Sequence, residues 1–417
     1  MKAIRKEALS MWRLNGYLVS IVLMLGSLWI GNLCGQSLAV GVLSPEAAGE
    51  SGDCDDYVLK QARLGAEPRQ AILVVYAVSS KGQSLPHTKF MLSNLEFFLN
   101  YGGVSHCEHH DITYRITLSG QQPQVVELIR KHQKPVRPGG VPRVHFLQRK
   151  NHGYDFGSHR ATLDAEAARL RIHLTDLPYD AYIFLNDGTR GPFYPTYMPK
   201  GWHWVDGFIR KLQPPVALVG TSVVCLHESD YAVQHYPYMI GPKVEGFAFG
   251  MTRAALVNDI LHGTSFRAHE DKVAAIVSGE YNLTANVFRA KGRDWTITSL
   301  LSSQTHINFR NPSSWACNNY AHPSRPGTHG PGISISPFEV IFHKAIWYSI
   351  HGGERVSWVE MEAYTSWRTG ATIPMMYTCQ NDGDIVCHMD QQQEQKMYLD
   401  MYSPPPLLPP PSKVQHS

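Results

Sequence analysis

The sequence predicts an α/β protein built on a mainly parallel central sheet. Strand-like apolar runs alternate with amphipathic helical stretches from residue 70 onward, and polar, glycine-bearing segments stand where several of those strands end. Of 417 residues, 43% are hydrophobic and 18% charged, which excludes a disordered chain and a polytopic membrane protein. The formal charge of +3 resides at the amino terminus, where Lys2, Arg5, Lys6 and Arg13 outnumber Glu7. The rest of the chain is balanced. It lacks the basic surplus of a nucleic-acid binder, and no nucleic-acid partner is expected.

Residues 1–16 read as a cytosolic tail and 17–34 as a transmembrane signal-anchor. The stretch YLVSIVLMLGSLWIGNL carries no charge and reaches the roughly 17–25 residues that span a bilayer as a helix. Basic residues precede it and Glu46, Glu50 and Asp53 follow it, a bias that keeps the amino terminus in the cytosol and makes the protein type II. A cleaved signal peptide is the competing reading, with Gly35 and Ser37 as small residues near a cut. Either way the bulk of the chain is lumenal or secreted. Residues 35–68, rich in Gly, Ala, Glu, Ser and Asp, read as a stem. A lumenal domain is expected over 69–375 and a tail over 376–417, ending in the polyproline run SPPPLLPPPSK.

Within the domain, AILVVYAVS after Gln70 is a buried strand pattern, followed by a helix over 87–100 and a strand over 112–118. A helix over 125–132, a strand over 144–148, a long helix over 158–174 and a strand over 181–185 come next. Further on, a helix is expected over 202–212, strands over 216–224 and 247–251, and helices over 253–261 and 273–291. A strand over 295–300 precedes a loop-like region over 304–335. Strands alternating with helices imply right-handed crossovers and hence the parallel sheet.

Two segments point to chemistry. In YDAYIFLNDGTRGPFYP an apolar strand runs into Asn186-Asp187-Gly188, and ligands of open α/β sheets bind beyond the carboxyl ends of strands. A carboxylate there can hold Mg²⁺ or Mn²⁺ against the phosphates of a nucleotide; equally, Asn-Asp-Gly is a good turn. The segment Asn151-His152-Gly153-Tyr154-Asp155-Phe156-Gly157 ends the preceding strand and opens a helix, where small and polar residues let the backbone approach a ligand closely and anions are favoured. Asp155 there can meet a ribose hydroxyl or a metal, or simply cap the helix. Arg190 stands beside the strand-end acid as a candidate for phosphate contact.

Other features read as structural. HCEHH over 106–110 matches no zinc spacing and reads as a polar loop. Aromatics from Phe193 to Trp204 either stack on sugars or pack under a loop. Six cysteines outside the apolar run (Cys54, Cys107, Cys225, Cys317, Cys379 and Cys387) permit disulfides in an oxidising compartment. Asn282-Leu283-Thr284 is a glycosylation sequon that a packed helix would leave unused. GxSxG, Walker and HExxH motifs are absent, so hydrolase and kinase readings have no support.

The order of the NxGxDxG segment, FLND with GTRGPF, LVGTSVVC and EGFAFGMTRAAL resembles glycosyltransferases of the rhamnan synthesis protein F type. It is similar also to their eukaryotic relatives, in which Asn-Ser or Asn-Asp precedes an RGPF turn. IVSGEYNLTANVF with Glu280 and PFEVIFHK over 337–344 extend the resemblance, which covers roughly residues 70–345. It implies a GT-A-like nucleotide-sugar-binding fold that moves a sugar from a nucleotide-sugar donor to a glycan or glycoconjugate acceptor, in the Golgi or endoplasmic reticulum. Asn151, Gly153, Asp155, Asn186, Asp187 and Arg190 would then bind the donor, with Asp187 on a divalent cation, Mn²⁺ or Mg²⁺. Asn186-Asp187 supplies one carboxylate where an Asp-x-Asp motif has two, so Asp155 or His343 completes a metal site or none exists. Glu280 and Glu339 are the candidate catalytic bases, with Glu245 and Asp271 behind them. The alternative is a non-catalytic, membrane-anchored carbohydrate-binding or assembly protein that retains the fold.

Overall fold

The computed structural model describes residues 69–345, apart from 80–84, 106, 108, 134–143, 196, 200, 326 and 331, together with 365, 378–381 and 385–388. The tail, signal-anchor, stem and polyproline readings lie outside the described residues. Among the described residues no helix is long and apolar enough to cross a membrane.

A seven-stranded sheet forms the frame. Its strands are β1 (Ala71–Ser79), β2 (Asp111–Ser119), β3 (Val144–Arg149), β4 (Ala181–Asn186), β6 (Val216–Gly220), β9 (Ala248–Thr252) and β10 (Thr296–Ser299), in the order β10-β6-β9-β4-β1-β2-β3. β9 runs antiparallel to β4 and β6, and the other pairings are parallel. The expectation of a mixed α/β fold with a mainly parallel central sheet is met.

β1 shows why the sheet is central. Ile72, Val74, Tyr76 and Val78 pack on one face with Met91, Leu95 and Phe98, while Leu73 and Val75 pack on the other with Phe156 and Leu163. Period-two alternation with both faces apolar is what a strand covered on both sides requires. The first face is covered by α1 (Leu85–Asn100), α2 (Pro123–His132) and α4 (Asp206–Ile209); the second by α3 (Tyr154–Leu170), α6 (Arg253–His262) and α8 (Asn282–Arg289).

Smaller elements extend this frame. β5 (Thr189–Arg190) pairs antiparallel with β11 (His343–Lys344), and β7 (Val223–Leu226) with β8 (Gly241–Val244). α5 (Tyr231–His235) lies between β7 and β8, and α9 (Pro337–Val340) precedes β11. α7 (Lys272–Ala274) leads into a π-helical stretch, Ala275–Tyr281, and then α8. β12 (Thr378–Asn381) and β13 (Ile385–His388) form a separate hairpin, with Cys379 opposite Cys387.

Several boundaries differ from the sequence reading. The strand expected over 216–224 is two strands in two sheets, broken at Thr221-Ser222. The long helix starts at Tyr154 and stops at Leu170, because Arg171 caps it in a left-handed conformation. The expected helix over 202–212 shrinks to α4; around it the chain makes turns fixed by Asp206, whose carboxylate accepts from the His203 amide at 2.7 Å. A disulfide joins Cys225 of β7 to Cys317, 92 residues apart, and Cys107 is a free, buried thiol.

Candidate active site

Parallel β1, β3 and β4 bring Ser79, Asn151 and Asn186-Asp187 to one edge of the sheet; antiparallel β9 brings Gly246-Phe247 to the same edge from its start. The turn after β4 is held tightly. Asn186 Oδ1 accepts from the Gly188 amide and the Thr189 hydroxyl, each at 3.1 Å, and the Phe247 carbonyl accepts from Asn186 N at 3.1 Å and Thr189 Oγ1 at 2.9 Å. Buried Asn94 completes the clamp, donating to the Asp187 carbonyl at 2.8 Å.

This geometry unites the two motifs. Asn186 Nδ2 donates to Asp155 Oδ2 at 2.7 Å, and Asp187 Oδ2 accepts the Ser79 amide at 2.7 Å. Burial and then the neighbouring Asp155 charge push the Asp187 carboxyl well above the usual carboxylate range, against the pull of the Ser79 amide. Among the described residues neither acid has an ion-pair partner. Asn151 Oδ1 accepts from Ser79 Oγ at 3.4 Å, while its buried Nδ2 has no partner among the described residues.

The loop before α3 holds an unusual backbone. Gly153 at φ +79° and Tyr154 at φ +55° are left-handed in succession, and a Cβ on Gly153 would stand 2.5 Å from Ala268 Cα. Only glycine fits that contact. Gly153 forms an antiparallel bridge with His269, and the Arg149 guanidinium grips the Gly157 and His152 carbonyls at 2.6 and 2.9 Å. Asp155 is thus fixed in the first turn of α3.

Glu280 joins this group from the π-helical stretch, a feature that recurs at functional sites. Its Oε1 accepts the Gly246 amide at 2.8 Å, one residue from the carbonyl that holds Asn186. Gly246 has no room for a Cβ, which would lie 2.9 Å from Glu280 Cγ. Glu339, by contrast, has its carboxylate bound by the amide and hydroxyl of Ser302, beyond β10. Asp271 caps α7 through the Ala274 amide at 2.8 Å. The structure therefore brings Asn151, Gly153, Asp155, Asn186, Asp187 and Glu280 together, and places Glu339 and Asp271 in local structural bonds.

Arg190 sits elsewhere than a donor phosphate requires. Its side chain is fully buried, donating to Asn94 Oδ1 at 2.7 Å and Ser93 Oγ at 3.1 Å between the Phe90 and Phe97 rings. Strand alternation after Thr189 turns it into the core. His343, opposite Arg190, is buried too, and burial lowers its imidazole to about 4. Lys344 is the basic residue beside the edge: half-buried, opposite Thr189 in β11, with Nζ 5.7 Å from the Phe247 ring centre.

Sequence reasoning did not find the partners of Glu245. Ser222 Oγ, Ser324 Oγ at 2.5 Å and His322 Nδ1 at 3.2 Å all contact this buried carboxylate. Burial pushes its acid upward, but the His322 bond, the Lys344 charge and Ser222 win and hold it at about 2. Such a carboxylate is a poor base and a good scaffold. The EGF tripeptide and PFEVIFHK marked Glu245 and Lys344; His322 and Ser324 lay in a region with no pattern to single them out.

The HCEHH segment is structural at its described positions: buried His110 pairs with Asp206 at 3.2 Å, and His109 with the Gly201 carbonyl at 2.7 Å. Of the aromatic run, Phe193 and Trp204 are core residues and Tyr197 is exposed. In the sequon, Asn282 binds Thr264 Oγ1 at 2.7 Å and Thr284 is fully buried, so a glycan has no place there.

A divalent cation fits this edge. Mg²⁺ and Mn²⁺ keep several waters and are held by one or two carboxylates plus substrate phosphates. Asp155 and Asp187 offer two carboxylates beside an unsatisfied Asn151 donor; among the described residues no group of three or more ligand side chains is present.

No family model matches this sequence, and no curated protein matches it. Among solved structures it is similar to 4-diphosphocytidyl-2C-methyl-D-erythritol synthase from Anaerococcus prevotii, at 11% identity and TM-score 0.32, over 60% of this chain and 95% of that one. It is similar to the mannosyltransferase PcManGT from Pyrobaculum calidifontis in complex with GDP-Man and Mn²⁺, at 12% identity and TM-score 0.30, over 74% and 78%. A third similarity is to the galactosyltransferase LgtC with donor and acceptor sugar analogues, at 9% identity and TM-score 0.26, over 46% and 62%.

Proposed function

We propose that the protein is a glycosyltransferase that moves a sugar from a nucleotide-sugar donor to a glycan or glycoconjugate acceptor. The observation that carries this is the carboxylate pair Asp155–Asp187 at the strand-end edge, with the Asp187 acid raised by burial and, secondarily, by the Asp155 charge, and the Asn151 amide left to donate. Two adjacent acids without a cationic partner suit a diphosphate-bound divalent cation.

In this reading Asp187, with Asp155, would hold a divalent cation, which when bound would supply charge neutralisation for the departing diphosphate. Asn186 keeps Asp155 oriented, and Asn151 donates to the donor. Lys344 takes the place expected of Arg190 and adds positive charge near the leaving group. Glu280, one oxygen fixed by the Gly246 amide, faces the acceptor hydroxyl with the other and removes its proton. The Cys225–Cys317 disulfide accords with a lumenal domain, and the apolar run over 17–34 with a type II Golgi or endoplasmic reticulum anchor.

The second reading is a non-catalytic carbohydrate-binding protein that retains the fold, favoured by Asn186 standing where a second metal carboxylate would be. Thermal shift of the full-length protein against a panel of nucleotide sugars, with and without Mn²⁺, separates the two when paired with product analysis. Stabilisation by one donor in Mn²⁺, with product formed, supports the transferase. Stabilisation without product on a broad acceptor panel supports the binding protein, and no response to any donor refutes both.

A further inference from the structure

A cavity lies apart from the strand-end edge, between β8, α8 and the loop that carries Trp315. Its volume is about 220 Å³, room for roughly seven waters at their ~30 Å³ share of liquid volume. That is below the ~300–1,000 Å³ of drug-sized sites and suits a single ring. Ala285, Phe288 and Arg289 line it from the helix that follows the π-helical stretch of Glu280.

We propose that this cavity is a binding subsite for one anionic sugar ring, carboxylate- or sulfate-bearing, whose acidic group is received by Lys243. The inference stands on the cavity alone and holds whether or not the strand-end edge transfers sugars.

Lys243 is only 2% exposed, yet it lines the cavity, and its ammonium has one hydrogen bond among the described residues, to the Pro242 carbonyl at 3.2 Å. A buried lysine with no acidic partner is costly unless an anion meets it. Burial, then the Arg289 charge, lowers its amine to about 7, so an incoming anion also restores its proton. No acidic residue lines the cavity. Arg289 stands over the Tyr238 ring at 4.7 Å and Arg310 over the Phe288 ring at 5.5 Å. Arg310 is already engaged, with Asp294 at 3.3 Å and the Trp295 carbonyl at 2.5 Å. Lys243 and Arg289 are therefore the cations left for a ligand.

The walls are preorganised for a ring. Trp315 lies flat against Gly241, where a Cβ would come within 2.7 Å of the indole, and its Nε1 donates to the Phe309 carbonyl at 3.0 Å. Gly241 at φ +93° makes that approach possible. The Cys225–Cys317 disulfide fastens the Trp315 loop to β7, the strand paired with β8. An aromatic wall beside one buried cation, Lys243, and one exposed cation, Arg289, matches a ring with one apolar face and one acidic group.

The test is calorimetric titration of the full-length protein with methyl glucuronide and glucose 6-sulfate, with methyl glucoside as the neutral control and UDP as a nucleotide control. Both charged sugars, or one of them, are expected to bind at least tenfold more tightly than methyl glucoside; the one that binds identifies the acidic group. Lys243→Met is expected to weaken that binding at least tenfold, and Arg289→Gln to weaken it less, which keeps the test alive should the first variant misfold. Affinity is expected to fall between pH 6 and 9 as Lys243 loses its proton, Arg289, Arg310 and Tyr238 being the other titratable groups that line the cavity. Asp187→Ala is expected to leave the binding intact, which separates this site from the proposed transferase. Equal affinity for the neutral sugar, displacement of methyl glucuronide by UDP, or indifference to both variants would overturn the proposal.

Discussion

The Asn186 side chain ties the turn after β4 to the loop before α3: its amide donates to Asp155 at 2.7 Å while its oxygen accepts Gly188 N and Thr189 Oγ1 at 3.1 Å. One residue thus sets the spacing of two carboxylates from motifs thirty-two positions apart. Asn186→Ala is expected to loosen that spacing and lower transfer by roughly 10–100-fold, the range for partners that orient ligand side chains. Steady-state rates at saturating donor, with circular dichroism as a fold control, check this.

Asp187 carries a raised acid, so its folded value lies above its unfolded one. Its contribution is present at low pH and is lost as pH rises through the folded value. Asp187→Asn is therefore expected to match or exceed the wild type in denaturant resistance at pH 7, and to lose the stabilising response to Mn²⁺. Guanidinium unfolding at pH 4 and 7, with and without the ion, measures both effects.

Arg190, the residue the sequence suggests for phosphate contact, is buried in the core, and Lys344 is proposed for that role instead. Arg190→Gln is expected to destabilise the protein by about 3 kcal/mol, because Asn94 and Ser93 lose their buried partner. Lys344→Met is expected to lower transfer about 10²-fold with the fold retained. Comparable losses of activity without destabilisation in both variants would return Arg190 to the donor site.

Glu245 behaves in the opposite sense to Asp187. Held at about 2 against an ordinary 4.5, it contributes stability that is complete above pH 5 and lost as pH falls toward 2. At roughly 1.4 kcal/mol per unit, Glu245→Gln is expected to cost about 3 kcal/mol at pH 7 and to flatten the acid limb of the stability curve. Unfolding midpoints from pH 2 to 7 reveal the change.

The Cys225–Cys317 bridge closes a loop of 92 residues, for which chain entropy gives about 4–5 kcal/mol. Cys225→Ser with Cys317→Ser is expected to lower the unfolding free energy by 2–5 kcal/mol and, by releasing Trp315, to weaken the cavity it lines. Non-reducing peptide mapping locates the bond, and calorimetry gives the loss.

The sheet was legible because β1 and β4 are apolar on both faces, a pattern that few structures besides a covered central strand explain. Asn151, Asn186 and Asp187 stand at the carboxyl ends of β3 and β4, and Asp155 in the first turn of the helix that follows β3, so topology brings these candidates to one edge. Arg190 was not legible: whether the second residue of a two-residue strand turns inward depends on Asn94 and Phe97, nearly a hundred positions away. Glu245 owes its environment to Ser222, His322 and Ser324, and Lys243 its cavity to Arg289 and Trp315, none of which any local periodicity announces. The break between β6 and β7 was hidden for the same reason, since Thr221-Ser222 interrupts an apolar run without a glycine-proline signal of its own beyond Gly220.

The central claim is that Asp155 and Asp187 together support transfer from a nucleotide sugar, and product formation by the full-length wild type, Asp155→Asn and Asp187→Asn at saturating donor and Mn²⁺ tests it most directly. The expected result is product from the wild type, a loss of at least 10²-fold in either variant, and folded proteins throughout. Undiminished product from both variants would contradict it.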